Sequence, residues 1–187
     1  MVTKSSREMQ KDREKIRPPF GGLKFCQGTH YLPLTKKQTK ESNMKYVVLV
    51  SHGTFAPGLK SVLAMLAGGE REDVISVGLE DGMSADTFTE NFRNAISGIK
   101  SEDEIILLGD IIGGSPMTNA LEQISKKGLE EQTVVFGGMN LAMALTATLM
   151  KDDVDTELLK DSLISEAKNA IKEFVLDSGA DDEEDEI

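Results

Sequence analysis

The sequence predicts an α/β domain in which an open, mostly parallel sheet carries helices on both faces. Between Met44 and Met150 short apolar runs alternate with amphipathic ones, the pattern of successive βα units. The short runs are rich in Val and Ile and do not alternate strictly with polar residues, which suits strands covered on both sides. In such a sheet ligands collect beyond the carboxyl ends of the strands. That rule selects Ser51–Thr54, Glu80–Met83, Asp110–Pro116 and Gly137–Asn140, and two of these four segments hold residues with evident chemistry.

The strands are expected over YVVLV (46–50), VISVGL (74–79), EIILLG (104–109) and TVVFGG (133–138). After the first, Leu59, Val62, Leu63 and Leu66 recur at i, i+3, i+4 and i+7, which marks one buried helix face. After the second, Ser84 stands where an N-cap belongs, ahead of a helix carrying Phe88, Phe92, Ile96 and Ile99. Met117, Ala120, Leu121 and Ile124 repeat the helical spacing after the third. Leu141 to Met150 is apolar nearly all round, so a short helix buried by its neighbours is expected there. Beyond Asp155, the residues Leu159, Leu163, Ala167, Ala170 and Phe174 continue a helical stripe.

Charge divides the chain. Residues 1–43 carry ten Lys and Arg against four Asp and Glu, whereas residues 44–187 carry eleven against 28. The leading 43 residues show no sustained period and are interrupted by Pro18, Pro19, Gly21 and Gly22, so they are expected to form a poorly ordered basic leader. Met44 is the expected true start, with the leader arising from an upstream start assignment or an added segment. The domain is expected over residues 44–176, followed by an acidic tail, 177–187, that ends in DDEEDEI. An acidic body repels phosphate backbones and anionic lipid, so nucleic acid and membrane surfaces are poor partners and a protein with a basic face is a better one. Cys26 is the only cysteine, which leaves no internal disulfide and no thiolate cluster and points to a reducing cytoplasm. The longest apolar stretch, Leu141–Met150, is about half of the roughly 20 residues that cross a bilayer.

The chemistry gathers at VVLVSHGT (47–54) and GDIIGGSP (109–116). His52 is one of two histidines and closes the first apolar run. An imidazole attacks through one ring nitrogen only if the other holds the proton, and a carboxylate can fix that tautomer. Asp110, at a neighbouring strand end, is placed to accept the Nδ1 proton of His52 and leave the Nε2 lone pair exposed. Gly113 and Gly114 allow close backbone approach to a ligand, and Ser115 with Pro116 forms an N-cap and N1 pair at a helix start, where N–H groups attract anions. Taken singly, the histidine caps a turn and the glycine-rich segment starts a helix. Together, His52, Asp110, Gly113, Gly114 and Ser115 supply a nucleophile, an orienter and an anion cradle. No metal cage and no G-x-x-x-x-G-K-[ST] loop accompanies them, so neither a metal nor another cofactor is expected. A phosphoryl group passed between histidines fits this inventory, because in-line positioning and hydrogen-bond donors can carry the transfer.

At these residues the sequence resembles the IIA component of the mannose family of the bacterial phosphoenolpyruvate-dependent sugar phosphotransferase system. The shared features are the strand running into SHG (51–53), D-x-x-G-G-S-P (110–116) and GGMN (137–140) before an apolar helix, in the family's order across roughly residues 44–152. The resemblance implies that His52 accepts phosphoryl at Nε2 from phospho-HPr and gives it to a cognate IIB domain. Asp110 would orient the ring, and Gly113, Gly114 and Ser115 would hold the phosphoryl oxygens. It also implies a cytoplasmic homodimer, recruited to the membrane permease through IIB, in which a segment around Glu173–Leu176 adds an edge strand to its partner. The family sometimes places an aromatic residue two positions after the aspartate, where this chain has Ile112.

Rival readings are weaker. The phosphotransfer subunit of dihydroxyacetone kinase shares the same chemistry. Anaerobic cobalt chelatases also run a strand into H-G-S or H-G-T, but their metal chemistry wants further ligands, and the other histidine, His30, lies in the leader. A hydrolase triad of Ser115, His52 and Asp110 fails the G-x-S-x-G pattern at Met117, and Pro116 removes the amide that would serve as oxyanion donor. A sensor role for a phosphorylated histidine would need a partner. A IIA component does not touch the sugar, so the transported sugar is not encoded here.

Overall fold

The computed structural model describes residues 43–176, so the expectations for the leader and the acidic tail lie outside the described residues. Four strands, β1 (Lys45–His52), β2 (Val74–Leu79), β3 (Glu104–Gly109) and β4 (Thr133–Phe136), alternate with helices α1 (Phe55–Leu66), α2 (Ala85–Ala95), α3 (Ser115–Lys126) and α4 (Leu141–Met150), and α5 (Thr156–Asn169) follows. Every strand pair is parallel, in the order β2-β1-β3-β4. The predicted α/β class with helices on both faces is what the chain adopts.

Alternation within each strand sorts the core into two layers. Val47 and Leu49 of β1, with Ile106 and Leu108 of β3, pack against α1, α4 and α5 through Leu59, Leu63, Met143, Ala147, Leu159 and Leu163. The intervening Val48, Val50, Ile105 and Leu107 face α2 and α3 through Phe88, Phe92, Met117, Ala120 and Ile124. Phe88 and Phe92 stack with centroids 6.3 Å apart, which adds a directed aromatic contact to the burial. Because both faces are covered, both sets of positions must be apolar, which explains why the runs lack a polar face.

The strand order places a topological switch at the centre of the sheet. The chain leaves β1 through α1 towards β2, and leaves β3 through α3 on the opposite face towards β4. Since β1 and β3 are neighbours, the loops at their carboxyl ends diverge and open a crevice between them.

Several boundaries differ from expectation. β1 runs two residues beyond Val50, because Ser51 and His52 pair with Gly78 and Leu79, so the histidine is the last residue of a strand. β4 stops at Phe136, as Gly138 turns the chain with φ +71°. Leu66 is exposed at the end of α1, and Ala56 at its start joins the core instead. The stripe expected to run to Phe174 ends with α5 at Asn169, and Phe174 is exposed. Ser84 does cap α2, accepting from the Thr87 N–H at 3.1 Å. Asn140 and Asp155 cap α4 and α5 in the same way.

Candidate functional site

The crevice at the switch point is built from the two loops singled out by sequence. Asp110 directly follows β3, and its N–H still donates to the Val50 carbonyl at 3.3 Å, so the strand pairing carries it up beside the end of β1. Its Oδ2 accepts two hydrogen bonds from His52, one from the backbone N–H and one from ring Nδ1, both at 2.9 Å. Its Oδ1 accepts from the Ile111 N–H at 2.8 Å. Burial would raise the Asp110 pKa, but the two bonds from His52 and the one from Ile111 outweigh it and hold the carboxyl below its ordinary value.

That ionisation decides the tautomer. A carboxylate only accepts, so the 2.9 Å contact requires the proton on Nδ1, and in the neutral ring Nε2 carries the lone pair. Nε2 has no hydrogen-bond partner among the described residues, and the His52 side chain is 45% exposed against 17% for Asp110. The ring is thus anchored from below and open above.

The remaining three predicted residues sit beside it. Gly113 adopts φ +74°, a conformation that costs a side-chain-bearing residue energy, and it turns the chain into α3. Gly114 lies against the imidazole: a Cβ there would come within 2.9 Å of His52 Cε1. Its N–H closes the turn to the Ile111 carbonyl at 3.3 Å, and its carbonyl accepts from the Thr118 hydroxyl at 3.1 Å. Ser115 requires a correction. The sequence marks it as the cap of α3, but Gly114 occupies the N-cap position with extended backbone and Ser115 is the first helical residue, ahead of Pro116. No side chain caps this helix, so the Ser115 hydroxyl is not spent on capping, and the residue is exposed. The first N–H groups of a helix have no partner within it, so the start of α3 presents donors on the His52 side of the crevice.

Two further contributors lie in strand-end segments that the sequence also selects, Ser51–Thr54 and Gly137–Asn140, and the structure gives each its role. Ser51 is fully buried, and its hydroxyl accepts from the Ala56 N–H at 2.7 Å, which ties the loop after His52 to the first turn of α1. The clue in the sequence is a polar residue immediately before the histidine, inside an otherwise apolar strand. The turn Gly137–Asn140 also packs against the Asp110 loop, with the Gly138 N–H donating to the Asp110 carbonyl at 3.2 Å. Phe55 at the start of α1 and Ile111 and Ile112 in the loop after β3 are exposed. Among the described residues, no group of three or more His, Cys, Asp and Glu converges as a metal site.

The model of the family described as PTS system fructose IIA component, EIIA-man, matches residues 46–164. The fructose-specific EIIA component of the PTS of Bacillus subtilis (strain 168) is 26% identical over 147 residues, spanning 75% of this chain and 98% of that protein. Among solved structures, phosphotransferase system component EIIA from Streptococcus agalactiae superposes with TM-score 0.59 at 26% identity, covering 70% of this chain and 97% of that one. The mannose/sorbose-specific IIA subunit of Enterococcus faecalis shares the fold, with TM-score 0.60 at 22% identity over 71% of this chain and 96% of its own.

Proposed function

The chain belongs to the EIIA-man family of phosphotransferase-system IIA components, and from that premise we propose that His52 is its phosphoryl carrier, loaded by phospho-HPr and discharged to a cognate IIB domain. The observation that carries the proposal is the pair of hydrogen bonds that Asp110 Oδ2 accepts from the His52 N–H and Nδ1, which fixes the ring and directs the Nε2 lone pair outwards. In loading, that lone pair attacks the phosphorus of the donor's phosphohistidine. The new N–P bond forms as the donor's N–P bond breaks, and the bond electrons return to the donor ring. No proton need cross at Nε2, because Nδ1–H stays on Asp110 throughout. The reverse displacement by a nucleophile of IIB regenerates His52 with its lone pair.

Transfer between two nitrogens demands little of the protein except alignment and stabilisation of the equatorial oxygens. Gly114 brings backbone close to the ring, and the N-terminus of α3 with the Ser115 hydroxyl offers donors to those oxygens. Asp110 also balances the positive charge that the ring gains when phosphorylated with Nδ1 protonated. The exposed Phe55, Ile111 and Ile112 give donor and acceptor proteins apolar surface beside the ring.

The proposal includes a homodimer. β4 is one of the two outer strands of the sheet, and Ile171, Phe174, Val175 and Leu176 follow α5 exposed and outside regular secondary structure. Ile171 shares an apolar cavity of about 340 Å³ with Val135 and Phe136 of β4, which favours exchange of this segment between copies as an added edge strand. No helix among the described residues is long and apolar enough to cross a membrane, so attachment to a permease would run through IIB.

The decisive experiment incubates the protein with phosphoenolpyruvate, enzyme I and HPr and records its intact mass. One acid-labile phosphoryl group on His52, dependent on HPr, is expected. No transfer from an HPr that phosphorylates a control IIA would sink the proposal.

A further inference from the structure

The turn after β4 does more than connect two elements. Its Gly138 N–H donates to the Asp110 carbonyl at 3.2 Å, and its Met139 N–H donates to the Gly109 carbonyl at 3.0 Å. These are the two peptide units that set the direction of the Asp110 side chain. Ile112, two residues further on, lies so close to the Gly137 backbone that a Cβ on residue 137 would overlap Ile112 Cγ1. It would also lie 3.0 Å from Ile112 N and 3.1 Å from Ile112 Cβ. Gly137 is not among the glycines with positive φ, so its missing side chain serves space and not backbone conformation. The turn is itself anchored. Asn140 Oδ1 accepts from the Met143 N–H at 3.0 Å, and its Nδ2 donates to the Ala167 carbonyl of α5 at 2.9 Å.

We infer that Gly137 is a positioning residue for His52: its close fit against Ile112, beside the two backbone bonds, clamps the Asp110–Gly114 loop in the geometry that orients the ring. The inference rests on the phosphocarrier reading of the site for its catalytic consequence only. The loop needs such a clamp because Gly113 and Gly114 are intrinsically permissive, while Ile112 itself is 78% exposed and contributes little to the core. Asp110 lies two residues before Ile112 and Gly114 two residues after it. A shift of a few tenths of an ångström at Ile112 therefore reaches both the carboxylate on Nδ1 and the backbone against Cε1. Phosphoryl transfer is steep in such displacements, since misplacement by about 1 Å can cost on the order of 100-fold.

The test compares the full chain with Gly137→Ala, Ile112→Ala and the double variant. Two readouts are taken: the rate of HPr-dependent phosphorylation, and the ¹⁵N NMR signals of the His52 ring in the unphosphorylated protein, which report the Nδ1–H tautomer and its bond to Asp110. Gly137→Ala is expected to slow phosphorylation by roughly 10-fold or more and to shift the ring signals. In the double variant the overlap with Cγ1 is gone and only the tighter contacts to the residue 112 N and Cβ remain, so both readouts move most of the way back towards the level of Ile112→Ala alone, a few-fold below the parent. Unchanged ring signals in a folded Gly137→Ala variant overturn the inference. Should that variant fail to fold, Ile112→Ala decides on an exposed side chain, and ring signals identical to the parent's overturn it. A parent protein that takes no phosphoryl group, together with the expected ring shifts in Gly137→Ala, would refute the carrier function and leave the clamp standing.

Discussion

Two aspartates at opposite ends of the sheet have pKa values below the ordinary carboxylate range, and they do opposite work. Asp73, just before β2, is held by Arg71 through two bonds of 2.9 and 2.7 Å and by Lys151 Nζ at 2.8 Å. Lys151 is itself buried, and its ammonium also meets Asp152 at 2.6 Å. The Arg71 bonds, followed by those from Lys151, overcome the burial that opposes them and bring Asp73 down to about 2. Both cations in that cluster are engaged by carboxylates, so the cluster holds elements together. Asp110 meets one ring and two amides, and the ring keeps a nitrogen facing outwards. A closed charge network makes structure; the same carboxylate set against a half-exposed imidazole leaves a ring nitrogen open, as the proposed carrier role requires.

The sharpest way to break this comparison is to remove the open valence. His52→Ala is expected to abolish phosphorylation by phospho-HPr, measured by intact mass. Because the side chain is 45% exposed, its unfolding midpoint should stay close to the parent's. Asp110→Asn should follow, slowing phosphorylation on the order of 100-fold in single-turnover experiments, since an amide can present its NH₂ to Nδ1 and favour the wrong tautomer. A rate within a factor of three of the parent would remove Asp110 from the mechanism. Acid should mimic that variant. A carboxyl with a depressed folded pKa stabilises the fold above its unfolded value and loses that contribution as pH falls through the folded one. The orienting role of Asp110 should therefore persist through mildly acid solution and fail only below the ordinary carboxylate range.

At the other end the expectation inverts. Asp73→Ala should leave phosphorylation at 25 °C within about two-fold, yet destabilise the domain by about 2–4 kcal/mol in urea unfolding, because it strips a buried ammonium of one partner. Lys151→Met should cost less, since it removes the buried charge together with its need. For Asp73, stability conferred by the network is present above about pH 4 and lost as pH falls towards 2. Slowed phosphoryl transfer in a fully folded Asp73→Ala variant would show that the two ends are coupled and would undo the division of labour.

The two regions were also unequally legible in the sequence. His52 and Asp110 stood out because each ends an apolar run, and the βα pattern alone puts such residues on the ligand side of a parallel sheet. The strand order that makes β1 and β3 neighbours was not legible. It depends on which side of β1 the chain returns, and no local pattern records that. The ion network escaped for the same reason, as Asp73 and Lys151 are joined only by tertiary packing. Helix ends were half legible. Ser84 is a cap both by sequence and in the fold, whereas the stripe beyond Ala167 suggests turns that α5 does not make, because Ala170 and Phe174 meet no core. Gly137 shows the limit most clearly, since only the position of Ile112 gives that glycine a purpose.

Ser115 offers the smallest effect and separates two roles that a sequence cannot. A serine before proline at a helix start resembles a cap, and losing a true cap costs about 1 kcal/mol. In the fold Gly114 holds that position, and no side-chain capping bond is made at α3. Ser115→Ala should therefore change stability by no more than about 0.5 kcal/mol, whereas Ser84→Ala and Asp155→Ala, which remove real capping bonds at 3.1 and 2.9 Å, should each cost about twice that. What Ser115→Ala should lose is rate, roughly 3- to 10-fold in phosphorylation. Donors aimed at developing charge in enclosed sites are worth more than this, and in the proposed role the exposed Ser115 hydroxyl would share the work with backbone amides of the first turn of α3. A stability loss equal to that of Ser84→Ala would return Ser115 to the capping role. An unchanged rate would assign the phosphoryl oxygens to backbone amides alone, and the open end of the sheet would then owe its chemistry to two side chains, His52 and Asp110.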